Sequence, residues 1–534
     1  MFLSFLSRFN NKGSLFTFFL IIIFILFSII LDKSYYNHFA TFGCFDECFN
    51  YIGGYFLIKG RILYKEIFFN HQLLMPYISA VLQKSFHPSS IYYLVLEHRM
   101  FIFIFGICMD IFIIWRFRLV GIGFAFLFEA TKYYFMGSLF LPESILVYPL
   151  VYLFGLAWYK VNNNRLSSFD YIISALFAWA VIFLREPVVI VTLFLYIIIN
   201  FDKCVRKEKI RAIGLFFILI ISTLLLTSIP DYIYQVITIN FRGVFSTEIT
   251  SHGNNFITIF KIFFYPIFIL IWGKKSLLRN ILVGIDIIFV FSFVIFFLKT
   301  NKKWMGIILL FNLGLSNLRL VIPGTMYYET FHMLPWYGLF IMGTFFLLKE
   351  LKKIPKMENF VLPLKVFAGS IFLYAVLSNQ SFLHDNTNRD LDFRLSFDRY
   401  YIYGQAVKYL AKPEDTLFLE KWDDLIYLQA DLIPGYSYGF FGAAAGGIDR
   451  FEREREKMFK NNPPDFYYSP NVKGQFPFGF LPNYRKNMYE ELIYVSSPSG
   501  LFIKDSKIKE ITPEQWEKIK TLKFYPKFLY NKKQ

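Results

Sequence analysis

The sequence predicts a polytopic α-helical membrane protein with about 11–13 transmembrane helices, followed by a small C-terminal α/β domain. Three observations carry this. Of 534 residues, 56% are hydrophobic and 21% aromatic, with 69 Phe. Only 18% are charged, where a soluble domain carries roughly 25%, and the mean hydropathy is +0.44. Apolar runs of bilayer length recur as far as residue 379 and then stop. The composition excludes disorder, which needs few aromatic and branched residues. It also excludes a disulfide scaffold, since 4 Cys cannot staple a chain of this length. The net charge of +17 does not signal nucleic acid, because membrane proteins gather Lys and Arg in cytoplasmic loops.

The spans follow in order. Apolar runs centre on Leu15–Leu31, Met100–Trp115, Leu119–Phe135, Glu143–Tyr159, Tyr171–Leu184 and Val188–Asn200. The series continues with Ile213–Ile229, Phe256–Trp272, Ile281–Leu298, Trp304–Ile322, Met333–Leu348 and Phe360–Leu377. Each is apolar on all faces, as lipid contact requires. The first follows Arg8 and Lys12 and lacks a small-residue cleavage site after Leu31, so it reads as a retained signal anchor with a cytoplasmic N-terminus. Asp32–Ser90 is then outside, while Arg116/Arg118, Lys160/Arg165 and Lys203–Arg211 fall inside. Lys274–Arg279 and Lys299–Lys303 both read as cytoplasmic although one run separates them, so one run within Phe256–Leu298 is expected not to cross fully. Residues 1–379 thus form a multi-span domain with its first external loop at 32–90.

Residues 380–534 form the second domain, with dense charge and no long apolar run. Phe397–Leu410 reads as a helix, and Asp415–Glu420 and Leu501–Lys504 read as short strands. Thr512-Pro513-Glu514-Gln515 combines a Thr cap, Pro at the first helical position and a reciprocal Gln. No repeat of 20–50 residues is present.

The chemistry-bearing residues concentrate in the first external loop, at Cys44-Phe45-Asp46-Glu47-Cys48, Gly60-Arg61-Ile62-Leu63-Tyr64-Lys65-Glu66 and Asn70-His71. Carboxylates at a membrane surface suit the deprotonation of an acceptor hydroxyl; the alternative is a solvated loop whose acids pair with Arg61 and Lys65. Arg319 ends an apolar run, where an Arg costs ~2.5–3.5 kcal/mol on insertion scales. Either it meets an anion or it snorkels to a headgroup. Arg185 is similar, with Glu186 beside it to neutralise it.

These motifs, in this order, resemble the GT-C type polyprenyl-phosphate-sugar glycosyltransferases, which include protein O-mannosyltransferases and lipid A aminoarabinose transferases. The resemblance takes in the Asp46-Glu47 pair after the first span, the Gly60-to-His71 stretch, Leu141-Pro142-Glu143 and Arg185-Glu186-Pro187. It continues through Asn317-Leu318-Arg319, Tyr328-Glu329-Thr330-Phe331-His332-Met333-Leu334-Pro335 and a closing small domain. It implies a GT-C-like fold and an inverting enzyme. Asp46 would be general base, with Glu47 as its paired acid and Glu66 where the family has Asp. Arg319 would lie near the lipid phosphate, with His71, Arg185 and His332 among the substrate-binding groups. The Pro pair usual after His71 is absent; Gln72-Leu73-Leu74-Met75 precede Pro76. The implied partners are a polyprenyl-phosphate sugar donor, a lipid, glycan or protein acceptor, and membrane lipids, with no nucleic acid. No cofactor and no catalytic metal are required, and the implied location is the plasma (inner) membrane with the site on the extracytoplasmic side.

Other features are set aside. Cys44, Cys48 and His71 fall short of a zinc set, and the two Cys read as unpaired or loosely paired thiols. Gly442–Gly447 lacks the Lys-Ser/Thr of a phosphate loop and reads as a flexible turn. Glu97-His98-Arg99 reads as an interfacial charge cluster. Two other functions compete with the glycosyltransferase. A glycolipid transporter or flippase should show repeated halves and ionisable residues near span centres. An enzyme like an O-antigen ligase should carry its catalytic loop late in the chain.

Overall fold

The structure is a computed structural model that describes residues 12–44, 46–200, 207–240, 276–318, 327–355, 357–420, 423–435, 448–469 and 488–527. The run Phe256–Trp272 and the turn Gly442–Gly447 lie outside the described residues.

In chain order the helices are α1 (Lys12–Asn37), α2 (Glu47–Ile58), α3 (Leu74–Phe86), α4 (Ile91–Phe117), α5 (Leu119–Thr131) and α6 (Pro142–Val161). Then come α7 (Ser168–Leu184), α8 (Val189–Asn200), α9 (Lys207–Leu225) and the short α10 (Ile229–Tyr232), which widens into a π-helix over Ile233–Ile239. The membrane part closes with α11 (Leu277–Lys299), α12 (Lys303–Ser316), α13 (Leu334–Leu351) and α14 (Glu358–Leu377). Among the described residues six helices are long and apolar enough to cross a bilayer, and α9 with its continuation Ile229–Ile239 makes a seventh if the pair is one broken span. The shorter apolar runs are helical too: α7, α8 and α12. The protein is a multi-pass α-helical membrane protein.

Two compact units form, each from non-consecutive segments. One comprises Met1–Phe39, Arg99–Ser222 and His252–Arg389; the other comprises Ala40–His98, Thr223–Ser251 and Asp390–Gln534. The composition break near Gln380 falls close to the Arg389/Asp390 junction, and Ala40–His98 groups with the C-terminal residues.

In the membrane unit α6 and α13 are central. Their most apolar windows are 83% and 94% buried, against 33% for α1 and 22% for α14, whose residues face outward. Lipid offers no hydrophobic drive between helices, so close packing must hold them. Gly338 of α13 meets this need: a Cβ there would collide with the Val147 methyl of α6. Leu141-Pro142-Glu143 starts α6 as the sequence suggests, with Pro at the start of the helix and an acid in the first turn, both favourable there. α7 opens on a capping box between Ser167 and Asp170, and Arg116 pairs with Asp170 at 2.7 Å.

In the other unit α2 packs on α3, and Gly54 of α2 lies against Ser79 and Ala80 of α3. The C-terminal residues supply α15 (Arg389–Leu410), β1 (Thr416–Leu419), α16 (Leu425–Ala430), β2 (Ile433–Pro434), α17 (Asp449–Asn461), β3 (Phe466–Tyr468), β4 (Tyr489–Tyr494), β5 (Ser497–Lys504), α18 (Pro513–Thr521) and β6 (Phe524–Pro526). The sheet order is β2-β1-β3-β5-β4-β6. β1 runs parallel to β2 and β3, and the remaining pairs are antiparallel. Leu417, Phe418, Leu419 and the whole of β3 are buried, as expected where both faces of a sheet are covered. The loop segment 40–98 is tied to this part. Tyr55 donates to Asp431 at 3.1 Å, Arg61 donates to the Pro434 carbonyl at 3.4 Å, and Thr41 donates to Asp392 at 2.9 Å.

Candidate functional site

Asp46 occupies the N-cap position of α2, half-buried, and its carboxylate is not used to cap that helix. Cys44 and Cys48 are joined by a disulfide. The expectation of unpaired or loosely paired thiols is thereby corrected: the turn at Asp46 and the first helical turn of α2 bring their Sγ atoms together. Glu47 is fully buried and accepts a hydrogen bond from Tyr51 at 2.9 Å, one helical turn on. Glu66 accepts from the Ile62 backbone N–H at 2.8 Å, while its own N–H donates to the Ile62 carbonyl at 2.9 Å. This reciprocal pair closes the turn in which Tyr64 adopts φ 66°, a left-handed conformation costly for a residue with a Cβ. Tyr64 then donates to the His71 carbonyl at 2.8 Å. The His71 ring is edge-on to Phe69, 5.9 Å between centroids.

In the membrane unit three of the motifs meet around one carboxylate. Glu143 opens α6, Arg185 terminates α7 in an extended conformation, and His332 lies in the 3₁₀ turn Tyr327–Met333 that leads into α13. His332 Nδ1 lies 2.7 Å from Glu143 Oε1. A carboxylate only accepts, so Nδ1–H is the donor. Arg185 Nε lies 3.0 Å from the same oxygen. All three are buried, with side chains 2–6% exposed. Arg185 therefore has a carboxylate partner from another helix, beyond the neighbouring Glu186 considered from sequence. The small cavity here, about 20 Å³, is lined by Glu143, Arg185, Ser316, Asn317 and His332 among others. That volume admits one water or one ligand oxygen. Among the described residues Glu143 Oε2 and Asn317 Nδ2 are buried without a hydrogen-bond partner, an acceptor and a donor among its lining residues. Arg319 lies outside the described residues.

A second polar cluster, unread in the sequence, lies in the same unit. Lys132 Nζ is 2.8 Å from Glu129 Oε1 and 2.7 Å from the Tyr148 hydroxyl, and that hydroxyl donates to Glu129 at 2.6 Å. Asp110, fully buried, interacts electrostatically with Glu129 and Lys132. Three charged residues inside apolar runs, Asp110, Glu129 and Lys132, were the available signal, because such residues are costly in hydrocarbon unless they pair. Glu143 and Asn317 were also missed as site residues, although both stand in motifs the resemblance singled out. Within Glu97-His98-Arg99, His98 is buried against Ser79 Oγ at 2.9 Å, and Arg99 is buried and donates to the Phe39 carbonyl. Among the described residues no group of three or more His, Cys, Asp or Glu is disposed to hold a metal.

No protein-family model and no curated protein matches the chain. Among solved structures it is similar to ArnT from Cupriavidus metallidurans in the apo state. The TM-score is 0.50 at 10% identity, over 90% of this chain and 97% of that one. At that identity the likeness establishes the fold alone: a multi-span helical domain with a small α/β part, shared with that structure across nearly the whole chain.

Proposed function

We propose that the protein is a membrane glycosyltransferase that moves a monosaccharide from a polyprenyl-phosphate donor to a lipid, glycan or protein acceptor. ArnT, whose fold the chain shares, is a lipid A aminoarabinose transferase of the GT-C family. The observation that carries the reading is the junction of Leu141-Pro142-Glu143, Arg185-Glu186-Pro187 and the His332 turn in one buried polar cluster. A lone structural ion pair would not require a third motif to converge on it.

In this reaction the acceptor oxygen attacks the anomeric carbon as its proton passes to Asp46. The carbon–oxygen bond to phosphate breaks with inversion, and the phosphate leaves with the bonding electrons. Negative charge grows on that phosphate, so cations fixed near it bind the transition state more tightly than the ground state. Arg185 and His332, oriented by Glu143, take this role together with Arg319, whose planar fork matches a phosphate. Glu47 and Glu66 hold the turns that present Asp46 and His71. The Cys44–Cys48 disulfide supports an oxidising, extracytoplasmic side for the Asp46 loop, and the basic loops support a plasma (inner) membrane protein of matching orientation.

The test offers purified protein in nanodiscs polyprenyl-phosphate sugars beside nucleotide sugars. Turnover is expected with the lipid donor, and in a fall of kcat for Arg185→Ala and Arg319→Ala. Turnover with nucleotide sugars alone would overturn the donor class. Comparing cell-envelope glycans with and without the gene by mass spectrometry then identifies the sugar.

A further inference from the structure

At the opposite end of α6 from Glu143, the membrane unit carries a second cavity with no part in the chemistry proposed above. The C-terminal ends of α6 and α8 and the N-terminal end of α12 surround about 690 Å³, lined by Lys160, Asn163, Arg165, Ile197, Trp304 and Ile308 among others. The cations come from one short connection. Asn162 caps α6 by donating from its side chain to the Trp158 carbonyl at 3.2 Å, and Asn163 takes the left-handed conformation at φ 58°. Asn163 and Asn164 donate their N–H groups to the Lys160 and Tyr159 carbonyls. Lys302, from the segment before α12, donates to the Asn162 side chain at 2.9 Å. The lip is thus a fixed turn that carries Lys160 and Arg165 on either side, with Lys302 braced against it.

The walls have a different character. Ile197 is 60% exposed and Trp304 46%, and Ile307, next to the lining residue Ile308, is 59% exposed. Among the described residues no carboxylate lines it, and the first turn of α12 holds no acid. A cavity with cations at its lip, an indole at its edge and isoleucines running down its wall is divided as a phospholipid is divided. Trp belongs at the headgroup level of a bilayer. Basic pockets between helices on the cytoplasmic side take anionic headgroups, and the excess of Lys and Arg assigns this end to that side.

We infer that this cavity is a binding site for an anionic glycerophospholipid of the surrounding bilayer. Its phosphodiester meets Lys160 and Arg165, and an acyl chain lies along Ile197 and Ile308. The occupant is a lipid, not a soluble anion, because half of the site is apolar and open to the bilayer. It is not a nucleotide, because a soluble ligand would leave Ile197 and Ile307 unused.

The test uses the full chain. Lipid retention is measured by native mass spectrometry after titration with phosphatidylglycerol or phosphatidylcholine, for wild type, Lys160→Gln/Arg165→Gln and Lys353→Gln. Lys353 is a 57% exposed cation paired with Glu350. Phosphatidylglycerol should be retained over phosphatidylcholine, and the double variant should lose about thirtyfold in that affinity while Lys353→Gln loses none. A second readout does not depend on charge variants: phosphatidylglycerol brominated in its acyl chains should quench Trp304, seen as the difference between wild type and Trp304→Phe. Equal retention of the two lipids, an unaltered double variant, or quenching that does not depend on Trp304 overturns the site. Displacement of phosphatidylglycerol by inorganic phosphate at comparable concentration, or by polyprenyl phosphate at far lower concentration, overturns the assignment to a glycerophospholipid.

Discussion

Replacing Glu143 by Gln removes the charge that both Arg185 and His332 address while keeping the side chain's volume. Glu143 is 2% and Arg185 4% exposed, so neither water nor salt can take over the lost charge. Removing one partner of a buried pair costs about 3–5 kcal/mol, because the remaining ion stays desolvated. The Gln carbonyl still accepts from His332 Nδ1, which places the expected loss near the lower end, about 3 kcal/mol. Arg185→Gln should cost a similar amount. The double variant buries neither charge, and should be less destabilised than the sum of the two by roughly 1–3 kcal/mol. Unfolding of the full chain in nanodiscs or mixed micelles, followed by SDS or heat, measures all four corners of the cycle. If the single losses add to the double within about 0.5 kcal/mol, the charges are not coupled and the reasoning fails. Activity supplies an independent axis. If the pair also serves the donor phosphate, the double variant regains stability but not turnover.

Asp46→Asn should lower turnover by about 10²–10⁴ as expected for a lost general base; full activity would remove Asp46 from the chemistry. The Cys44–Cys48 bridge closes a very short loop, so Cys44→Ser/Cys48→Ser should cost about 2 kcal/mol. Alkylation of either Cys in unreduced protein would refute the bridge. Lys507 lies 2.5 Å from Asp415 with both nearly buried, and Lys507→Met should destabilise the part of the chain that holds the sheet by about 3 kcal/mol; an unshifted loss of near-ultraviolet dichroism on titration with denaturant would show that Asp415 tolerates its loss.

The helices were legible where local chemistry decides them. The cap at Thr512 forms as its sequence implies: Thr512 N–H donates to Gln515 Oε1 at 2.9 Å and Gln515 N–H to Thr512 Oγ1 at 3.3 Å. The helix expected at Phe397–Leu410 is the second half of α15, whose first half is too polar to show a period. Ends were less legible where a tertiary partner intervenes. The run Leu119–Phe135 stops as an α-helix at Thr131 and tightens into a 3₁₀ turn at Lys132, where the lysine turns to Glu129 and Tyr148. Of the strands, β1 and β5 showed as apolar stretches. β3 is three residues and β4 carries two adjacent Glu; only pairing makes them strands, β3 with β1 and β5, β4 with β5 and β6.

The site divides along the same line. Order along the chain was enough to pick out Arg185 and His332, because helix ends that bear charge or Pro are conspicuous in apolar sequence. It could not reveal that they share a carboxylate, since Glu143 and His332 are 189 positions apart and an acid after Pro reads equally well as a favourable helix start. Glu66 shows the converse. The resemblance placed it where the family has Asp, and the sequence did not show that one of its oxygens accepts from a backbone N–H four residues earlier, a local bond that shapes the turn. In a chain of this kind the more dependable signal is cost. Asp110, Glu129 and Lys132 each stand in an apolar run where an unpaired charge costs ~2.5–3.5 kcal/mol. Such residues persist only where something answers them, so each one predicts a partner before the partner can be named.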